Sequence, residues 1–168
     1  MKPLFPEEEI KVRIKELAET ITNDYKGEEV LVIGILKGAC IFHSDLIRLL
    51  DLSVTVDFIV ASSYIKSESS GNVQIHYDMR EPVKDRAVLI VEDIVDTGFT
   101  VRHLVDQIAS KSPKSIKVCA LLDKKDKRRV EVPLDYVGFE IPDLFVVGYG
   151  MDYDNQFRNL PFIKVIEK

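Results

Sequence analysis

The sequence has no apolar run long enough to cross a membrane. The longest, residues 30–36, is short and contains a glycine, whereas a membrane-spanning helix needs about 20 consecutive apolar residues. The first residues lack the apolar stretch and cleavage site of a secretory signal peptide, and glutamates follow at positions 7–9. We therefore expect a cytoplasmic protein.

Cysteine and positive charge are also scarce. Cys40 and Cys119 stand far apart, without a Cys-x-x-Cys spacing and in apolar surroundings, so we expect two buried thiols rather than a disulfide or a zinc site. The 23 Lys and Arg against 28 Asp and Glu give a net charge of −5. Nucleic-acid and anionic-membrane binders rely on a basic surface, so neither kind of partner is expected.

The sequence does contain short apolar runs that alternate with amphipathic segments. Apolar residues recur at helical spacing from Ile10 to Tyr25. The runs at residues 30–36, 87–91 and 116–122 are continuous, which is typical of strands buried on both faces. Strands alternating with helices predict an α/β fold with a mainly parallel twisted sheet flanked by helices. The length suits a single domain, residues 1–168.

The segments between these strands are less regular. A helix is predicted after Lys37-Gly38, with an apolar stripe of Ile41, Phe42, Leu46, Leu49 and Leu50. Residues 61–80 are polar and rich in Ser, Gly and Asn, which predicts a long loop with at most a short hairpin near residues 73–77. A loop of that length in a compact domain usually serves function. Short strands are expected at residues 136–139, 145–148 and 163–166.

Ligands of open α/β sheets bind at the carboxyl ends of the strands, where residues 92–100 follow the second buried run. The motif Asp96-Thr97-Gly98-Phe99-Thr100 predicts a tight loop that enters a helix capped by Thr100. Main-chain N–H groups and the hydroxyls of Thr97 and Thr100 would form an anion cradle, which Gly98 lets a phosphate approach closely. It is not a Walker A loop, because no Gly-Lys-Ser/Thr follows.

The acidic pair Glu92-Asp93 directly precedes this cradle. Carboxylates accept hydrogen bonds from sugar hydroxyls and help to hold Mg²⁺ directly or through water. A phosphate cradle beside such acids favours a ribose 5-phosphate site. On these residues alone, a capping aspartate with two surface acids is an equally open interpretation.

Residues 91–100, with Glu-Asp-Ile-Val-Asp-Thr-Gly at their centre, resemble the phosphoribosyl pyrophosphate motif of type I phosphoribosyltransferases, in the version of the hypoxanthine-guanine branch. Leu36-Lys37-Gly38 is similar to the pyrophosphate loop of that family, which carries a cis peptide. Residues 56–58 followed by Ser63-Tyr64 resemble the strand that leads into its catalytic lid. Residues 137–143, 145–149 and 152–153 resemble its small purine-binding hood, which terminal segments form.

The resemblance implies a Mg²⁺-dependent enzyme of purine salvage. It would transfer the 5-phosphoribosyl group of 5-phosphoribosyl-1-pyrophosphate to N9 of hypoxanthine or guanine, giving IMP or GMP and pyrophosphate. Asp96 would be the general base or acid at N7, and Lys124 would donate to the 6-oxo group. Phe145 would stack on the purine, and the main-chain carbonyl of Val146 would accept from its edge.

The remaining implied contacts are to the sugar, the phosphates and the metal. Glu92 and Asp93 would bind ribose and Mg²⁺, and Asp152 a second Mg²⁺. The other implied substrate contacts are Lys37, Gly38 and Arg158 for pyrophosphate, Thr97, Gly98, Phe99 and Thr100 for the 5-phosphate, and Ser63 and Tyr64 in the closing lid. The implied partners are phosphoribosyl pyrophosphate and 6-oxopurine bases, and the implied assembly is a homodimer or homotetramer.

Several of these residues have a plainer interpretation. Lys124 lies in a run of Lys and Arg, where a solvated cation is the ordinary case. Phe145 fits a core position, and Arg158 fits a surface ion pair. Two residues depart from the family pattern: Phe99 replaces a small or polar residue, and Asp123 adds a negative charge beside Lys124 where an apolar residue is common, with an effect on the lysine that the sequence leaves open.

Two other functions stay open at this point. One is a phosphoribosyltransferase of the same fold that acts on xanthine or another base. The other is a regulator that senses nucleotides with the same site and binds RNA. The net charge of −5 and the purine-hood resemblance weigh against the regulator.

Overall fold

The computed structural model describes residues 3–65 and 71–166, and it describes side chains throughout these ranges except at residues 63–65 and 71–72. The helices are α1 (Glu7–Asp24), α2 (Cys40–Ile47) and α3 (Phe99–Ala109), with a 3-10 turn at Lys125–Lys127. The strands are β1 (Glu29–Leu36), β2 (Ser53–Ile65), β3 (Gly71–Tyr77), β4 (Ala87–Val95), β5 (Ser115–Asp123), β6 (Tyr136–Glu140), β7 (Val146–Val147) and β8 (Lys164–Val165). None of the helices in the described ranges is long and apolar enough to span a membrane.

Six strands form one sheet in the order β3-β2-β1-β4-β5-β6. Strands β2, β1, β4, β5 and β6 run parallel to their neighbours, and only β3 pairs antiparallel, at the edge next to β2. The predicted α/β fold with a mainly parallel sheet is therefore confirmed. Strand β4 lies in the middle, so the loop after it opens at the centre of the carboxyl edge.

Both faces of the sheet are covered, which explains the continuous apolar runs. Val30 and Val32 of β1 face the layer that contains Ile10 of α1 and Phe42 of α2. The alternate residues of β1 face the other layer, which contains Leu104 of α3. Because successive side chains of a strand point to opposite faces, a strand covered on both sides needs apolar residues at every position.

The predicted long loop at residues 61–80 was largely wrong. Strand β2 continues to Ile65 and pairs with β3, so most of this polar segment is a β-hairpin. The hairpin lies at the edge of the sheet, and in β3 Val73, Ile75 and Tyr77 alternate with polar residues, so the short hairpin expected near residues 73–77 is confirmed. Residues 66–70 lie outside the described ranges.

Three local expectations also need correction. In α2 the side chains of Ile41 and Leu49 are exposed, because the helix ends at Ile47 and only one face meets the core. Cys40 is half-buried rather than buried, although Cys119 is buried and both thiols are free. Thr100 does not cap α3: the cap residue is Gly98, whose φ of 91° lies in the left-handed region that favours glycine.

A small second layer lies beside the sheet, and we call it the hood (residues 3–5 and 141–166). Its two strands, β7 and β8, pair antiparallel. The N-terminal segment joins it, since the main-chain N–H of Leu4 donates to the carbonyl of Ile163 over 2.8 Å. Phe5 also stacks on Phe139 with ring centroids 4.1 Å apart, which ties the hood to the end of β6.

Candidate active site

The anion cradle lies where β4 passes into α3. The first N–H groups of a helix have no partner within it, and no side chain of the described residues caps α3. These N–H groups are therefore available to an anion. The following segment supports the loop from behind, since the main-chain N–H of Arg129 donates to the carbonyl of Thr97 over 2.9 Å. A β-carbon at Gly98 would come within 3.0 Å of the carbonyl oxygen of Val130, so the loop accepts only glycine there.

A cleft of about 400 Å³ opens in front of this cradle. It brings together most of the residues expected to bind sugar and phosphate: Lys37, Gly38, Glu92, Asp93, Asp96, Thr97, Gly98, Thr100, Asp152 and Arg158. Phe99 is not part of its lining and is the first residue of α3. The departure at Phe99 therefore leaves the lining of the cleft unchanged.

The acidic pair lies within the carboxyl end of β4 rather than in a loop after it. Glu92 is buried, and burial together with the negative charge of Asp93 raises its pKa well above the usual range. Burial also raises the pKa of Asp93, partly offset by a hydrogen bond with Glu92 and, less strongly, by the charge of Arg158. A buried and a half-buried carboxylate side by side therefore lack sufficient positive charge, which a divalent cation would supply.

The oxygen donors of this pair fit Mg²⁺, which prefers carboxylate, phosphate and water oxygens. The described part of the chain contains no cluster of three His, Cys, Asp or Glu side chains that could enclose a metal. Mg²⁺ commonly takes one or two carboxylates from the protein and completes its shell with substrate phosphates and water. The residues present thus fit an ion that arrives with a phosphorylated substrate.

The loop after β1 carries a cis peptide between Leu36 and Lys37, as the resemblance predicted. Lys37 is exposed in the cleft, while Gly38 packs against the carboxylate of Asp93. A β-carbon at Gly38 would overlap that carboxylate, so glycine is required for the loop to approach the acidic pair. The loop then leads directly into α2.

A second cleft of about 480 Å³ lies on the hood side of Asp96. Its lining includes Lys124, Phe145 and Val146, the three residues expected to bind the purine. Phe145 precedes β7 and contacts Tyr153 edge-to-face, with ring centroids 5.6 Å apart. The residues expected to bind a base and those expected to bind a sugar phosphate therefore lie in adjacent clefts.

Lys124 is a buried lysine and not a solvated one. Its side chain is only 7% exposed, and its Nζ lies 3.5 Å from Asp96 Oδ2 and 3.5 Å from Asp143 Oδ1. The main-chain N–H of Lys124 donates to the carbonyl of Val95 over 2.9 Å, which fixes its backbone against β4. A buried ammonium group is costly unless it is paired, so its position indicates a specific partner.

The negative charge that Asp123 adds beside Lys124 is paired with a different residue. The buried carboxylate of Asp123 pairs with the guanidinium of Arg128. Arg128 follows the 3-10 turn, and its side chain lies against Gly98. The ion pair therefore compensates the charge of Asp123 and supports the cradle from behind.

Arg158 and Asp152 connect the hood to the first cleft. Arg158 Nη2 lies 2.8 Å from Asp152 Oδ1, and Nη1 donates to the carbonyl of Gly150 over 2.8 Å. Asp152 Oδ2 accepts the main-chain N–H of Asn155 over 2.7 Å. An arginine has five N–H donors, so Arg158 keeps further donors for an anion.

The backbones of Ser63 and Tyr64 lie near the end of β2, opposite Val73 and Asn72 of β3. Their side chains lie outside the described part of the structure, so their lid contacts stay a prediction. Ala61, earlier in the same strand, lines the first cleft. The hairpin therefore begins beside the site.

Two charged residues of the second cleft were assigned no role from the sequence: Lys127 and Asp143. Lys127 follows Lys124 by three positions through a 3-10 turn, in which side chains three apart lie on the same side. That spacing is the signal that could have identified Lys127. The partnership with Asp143 is a tertiary contact that no local pattern contains.

The cradle and the acidic pair lie at the carboxyl edge of a parallel sheet, and Asp96 lines both clefts. This arrangement is typical of α/β proteins that bind a sugar phosphate beside a second group. A sequence model described as the phosphoribosyl transferase domain matches residues 3–154. The chain belongs to the phosphoribosyltransferase family.

Its relatives in this family act on purines. The hypoxanthine-guanine phosphoribosyltransferase of Aquifex aeolicus (strain VF5) is 46% identical over 169 residues, which cover 99% of this chain and 95% of the relative. The hypoxanthine phosphoribosyltransferase of Escherichia coli (strain K12) is 46% identical over 167 residues, 97% of this chain and 94% of the relative. A crystal structure of a hypoxanthine-guanine phosphoribosyltransferase from Bacillus anthracis str. 'Ames Ancestor' has a TM-score of 0.96 and 44% identity, covering 99% of each chain.

Proposed function

We propose that this chain transfers the 5-phosphoribosyl group of 5-phosphoribosyl-1-pyrophosphate to N9 of hypoxanthine or guanine, releasing pyrophosphate. The relatives named above support the purine substrate. The observation that carries the proposal is the position of Asp96, which lines both clefts. Among the described residues, its Oδ1 is buried and has no hydrogen-bond partner, which leaves it available to a ligand between the clefts.

The first cleft would hold the activated sugar. The N–H groups at the start of α3 and the hydroxyls of Thr97 and Thr100 bind the 5-phosphate, and Glu92 and Asp93 accept hydrogen bonds from the ribose hydroxyls. Lys37, Gly38 and Arg158 bind pyrophosphate as negative charge grows on it and the ribose approaches an oxocarbenium ion.

Mg²⁺ is the cofactor that fits this site. Glu92 and Asp93 would hold one ion, and Asp152 is the candidate for a second. Bound Mg²⁺ supplies positive charge that stabilises the leaving pyrophosphate.

The second cleft would hold the purine. Phe145 packs on the ring, and the Val146 carbonyl accepts from its edge. Lys124 donates to the 6-oxo group, which distinguishes a 6-oxopurine from adenine, whose 6-amino group would meet a donor. Asp96 then takes the proton from N7 while N9 attacks C1′ of the ribose.

A lid is part of the proposal because water would hydrolyse the activated sugar. The β2–β3 hairpin is the candidate, since Ala61 of β2 lies in the lining of the first cleft. Ser63 and Tyr64 would close over the substrates during turnover.

We also propose that the chain assembles as a homodimer or homotetramer, which light scattering would test.

The first experiment measures nucleotide formation from phosphoribosyl pyrophosphate and Mg²⁺ with hypoxanthine, guanine, xanthine or adenine in separate reactions. Asp96→Asn removes the proton acceptor but keeps the side-chain shape. Asp106→Asn on the exposed face of α3 is the matched control, because it makes the same charge change outside both clefts. A parallel reaction with EDTA tests the metal.

We expect hypoxanthine or guanine to be converted. Asp96→Asn should be about 10²–10⁴-fold slower, the usual contribution of a positioned acid or base. Asp106→Asn should match the wild type, and EDTA should abolish turnover. Conversion of only xanthine or only adenine would contradict the roles proposed for Lys124 and the hood. If the protein converts no base and instead binds RNA tightly with a strong salt dependence, the results would favour a regulator.

A further inference from the structure

Ion pairs link four charged side chains into one group: Asp96, Lys124, Lys127 and Asp143. All four line the second cleft. Lys127 Nζ lies 3.0 Å from Asp143 Oδ1 and 4.0 Å from Asp96 Oδ2. Two ammonium groups and two carboxylates therefore alternate around one side of the cleft, and their formal charges cancel.

Lys124 alone would be poorly placed to recognise a base. Its Nζ is 3.5 Å from both carboxylates, so neither holds it at the short distance of a strong charged hydrogen bond. If Asp143 had no other partner, its full charge would draw the lysine toward it. The ammonium group would then lie away from Asp96 and from the base between them.

Lys127 is the closer partner of Asp143, at 3.0 Å against 3.5 Å for Lys124. The hydrogen bond that the Lys127 ammonium donates to the Asp143 carboxylate lowers the pKa of Asp143 and raises the pKa of Lys127. Asp143 therefore stays ionised with Lys127, rather than Lys124, as its closer partner.

We propose that Lys127 is a positioning residue: by pairing with Asp143 it leaves the Lys124 ammonium free to donate to the 6-oxo group of the purine. This inference rests on the proposed function and assigns that site a second lysine. Lys127 does not touch the reacting atoms and acts through Lys124.

The exposure of the pair separates this role from a structural one. The side chains of Lys127 and Asp143 are 42% and 51% exposed. Ion pairs at such exposure contribute little to folding stability, because water and salt screen them. Removal of Lys127 should therefore change recognition of the base while leaving the fold intact.

The test compares four variants with the wild type: Lys127→Met, Lys127→Arg, Lys125→Met and the double variant Lys127→Met with Asp143→Asn. Lys125 is the matched control, because it is exposed in the same 3-10 turn but does not line the cleft. KM and kcat are measured with hypoxanthine and phosphoribosyl pyrophosphate varied in turn, and Tm is measured for each variant.

Lys127→Met should raise KM for hypoxanthine about tenfold, the value of one charged hydrogen bond. KM for phosphoribosyl pyrophosphate and Tm should stay at wild-type values. Lys127→Arg keeps the positive charge and should retain near-wild-type KM. Asp143→Asn in the Lys127→Met background removes the competing carboxylate and should restore KM to within about twofold, since contacting residues are not additive.

The proposal is overturned if Lys127→Met and Lys125→Met behave alike, or if Asp143→Asn fails to restore the Lys127→Met variant. A fall in Tm that parallels the change in KM would also overturn it, because the role would then be structural. If the wild-type protein converts no purine, the proposed function fails first and the role of Lys127 falls with it.

Discussion

The turn at Gly150 rests on the main-chain carbonyl of Gly38, so closely that a β-carbon at Gly150 would overlap that oxygen. Gly150 belongs to the hood, and Gly38 belongs to the loop proposed to bind pyrophosphate. Arg158 also donates to the carbonyl of Gly150. The hood and the loop after β1 are therefore joined by direct backbone contact.

Gly150→Ala should push these two loops apart. We expect a higher KM for phosphoribosyl pyrophosphate and a loss of stability greater than about 1 kcal/mol, because the added methyl group meets backbone as well as an unfavourable φ of 99°. Gly27→Ala is the control: Gly27 has a φ of 80° but no atom within 4 Å of the added methyl group. Equal losses of stability and equal KM values in the two variants would show that close approach to Gly38 is unimportant.

Glu92→Gln should stabilise the substrate-free protein while it lowers activity. The raised pKa of Glu92 means that the folded state holds its proton more strongly than the unfolded state does. Ionisation of Glu92 therefore lowers the free energy of unfolding. This loss is absent below the pKa of the unfolded state and grows as the pH rises above about 4.5. Chemical denaturation at pH 7 should give a higher free energy of unfolding than that of the wild type, and the difference should shrink toward pH 4.5. The exposed Glu140→Gln should show no such gain, and a destabilised Glu92→Gln would contradict the argument.

His43 should make the protein sensitive to mild acid. The ring is 1% exposed and packs against Phe58 with centroids 5.0 Å apart. Burial lowers its pKa below the usual value of 6.5, and the main chain of Val32 offsets this only in part. The unfolded state therefore binds a proton at this histidine more readily than the folded state does. His43 leaves the free energy of unfolding unchanged above about pH 6.5 and lowers it progressively as the pH falls below that value.

Substitution of this histidine should flatten the pH profile. His43→Phe is expected to unfold at the wild-type denaturant concentration at pH 7.5 and at a higher one than wild type at pH 5.5. His103→Phe, on the exposed part of α3, should keep the wild-type slope. Parallel wild-type and His43→Phe profiles would assign the acid sensitivity to other groups.

Arg128→Met should be strongly destabilising, because it leaves the buried carboxylate of Asp123 without its partner. Breaking a buried ion pair costs about 3–5 kcal/mol. The double variant with Asp123→Asn should recover most of that loss, as measured by urea unfolding. Recovery of less than about 1 kcal/mol would mean that Arg128 acts through its contact with Gly98 instead.

Much of the fold could be predicted from the sequence, because the central strands are apolar at every position and the flanking helices show a clear period. The strand ends could not, since β4 continues through the polar residues Glu92 and Asp93 and β2 continues through Ser62 and Ser63. Gly98 rather than Thr100 caps α3 because the turn requires a positive φ, which the sequence does not display.

The candidate site was predictable where its residues follow a strand in one motif, as Asp96 does. Family resemblance was needed for Lys124 and Phe145, which look ordinary in isolation. The pairing of Lys127 with Asp143 and of Asp123 with Arg128 was not foreseen, because each depends on where a turn or a distant segment places a charged group. Such pairings are properties of the folded chain rather than of local pattern.

The hood and the sheet differ in how much structure holds each together. In the described part of the chain, strand pairing in the hood is limited to the two-residue strands β7 and β8, although Val146 and Ile163 also pack into the main core, whereas the cradle is anchored in a six-stranded sheet. Short two-stranded ribbons are marginal by themselves. The β7–β8 pair can therefore unfold locally while the six-stranded sheet stays folded. Amide hydrogens around Val146 should then exchange with solvent long before those of β4. On the proposed function, the part of the site expected to hold the base would thus open more readily than the part expected to hold phosphate.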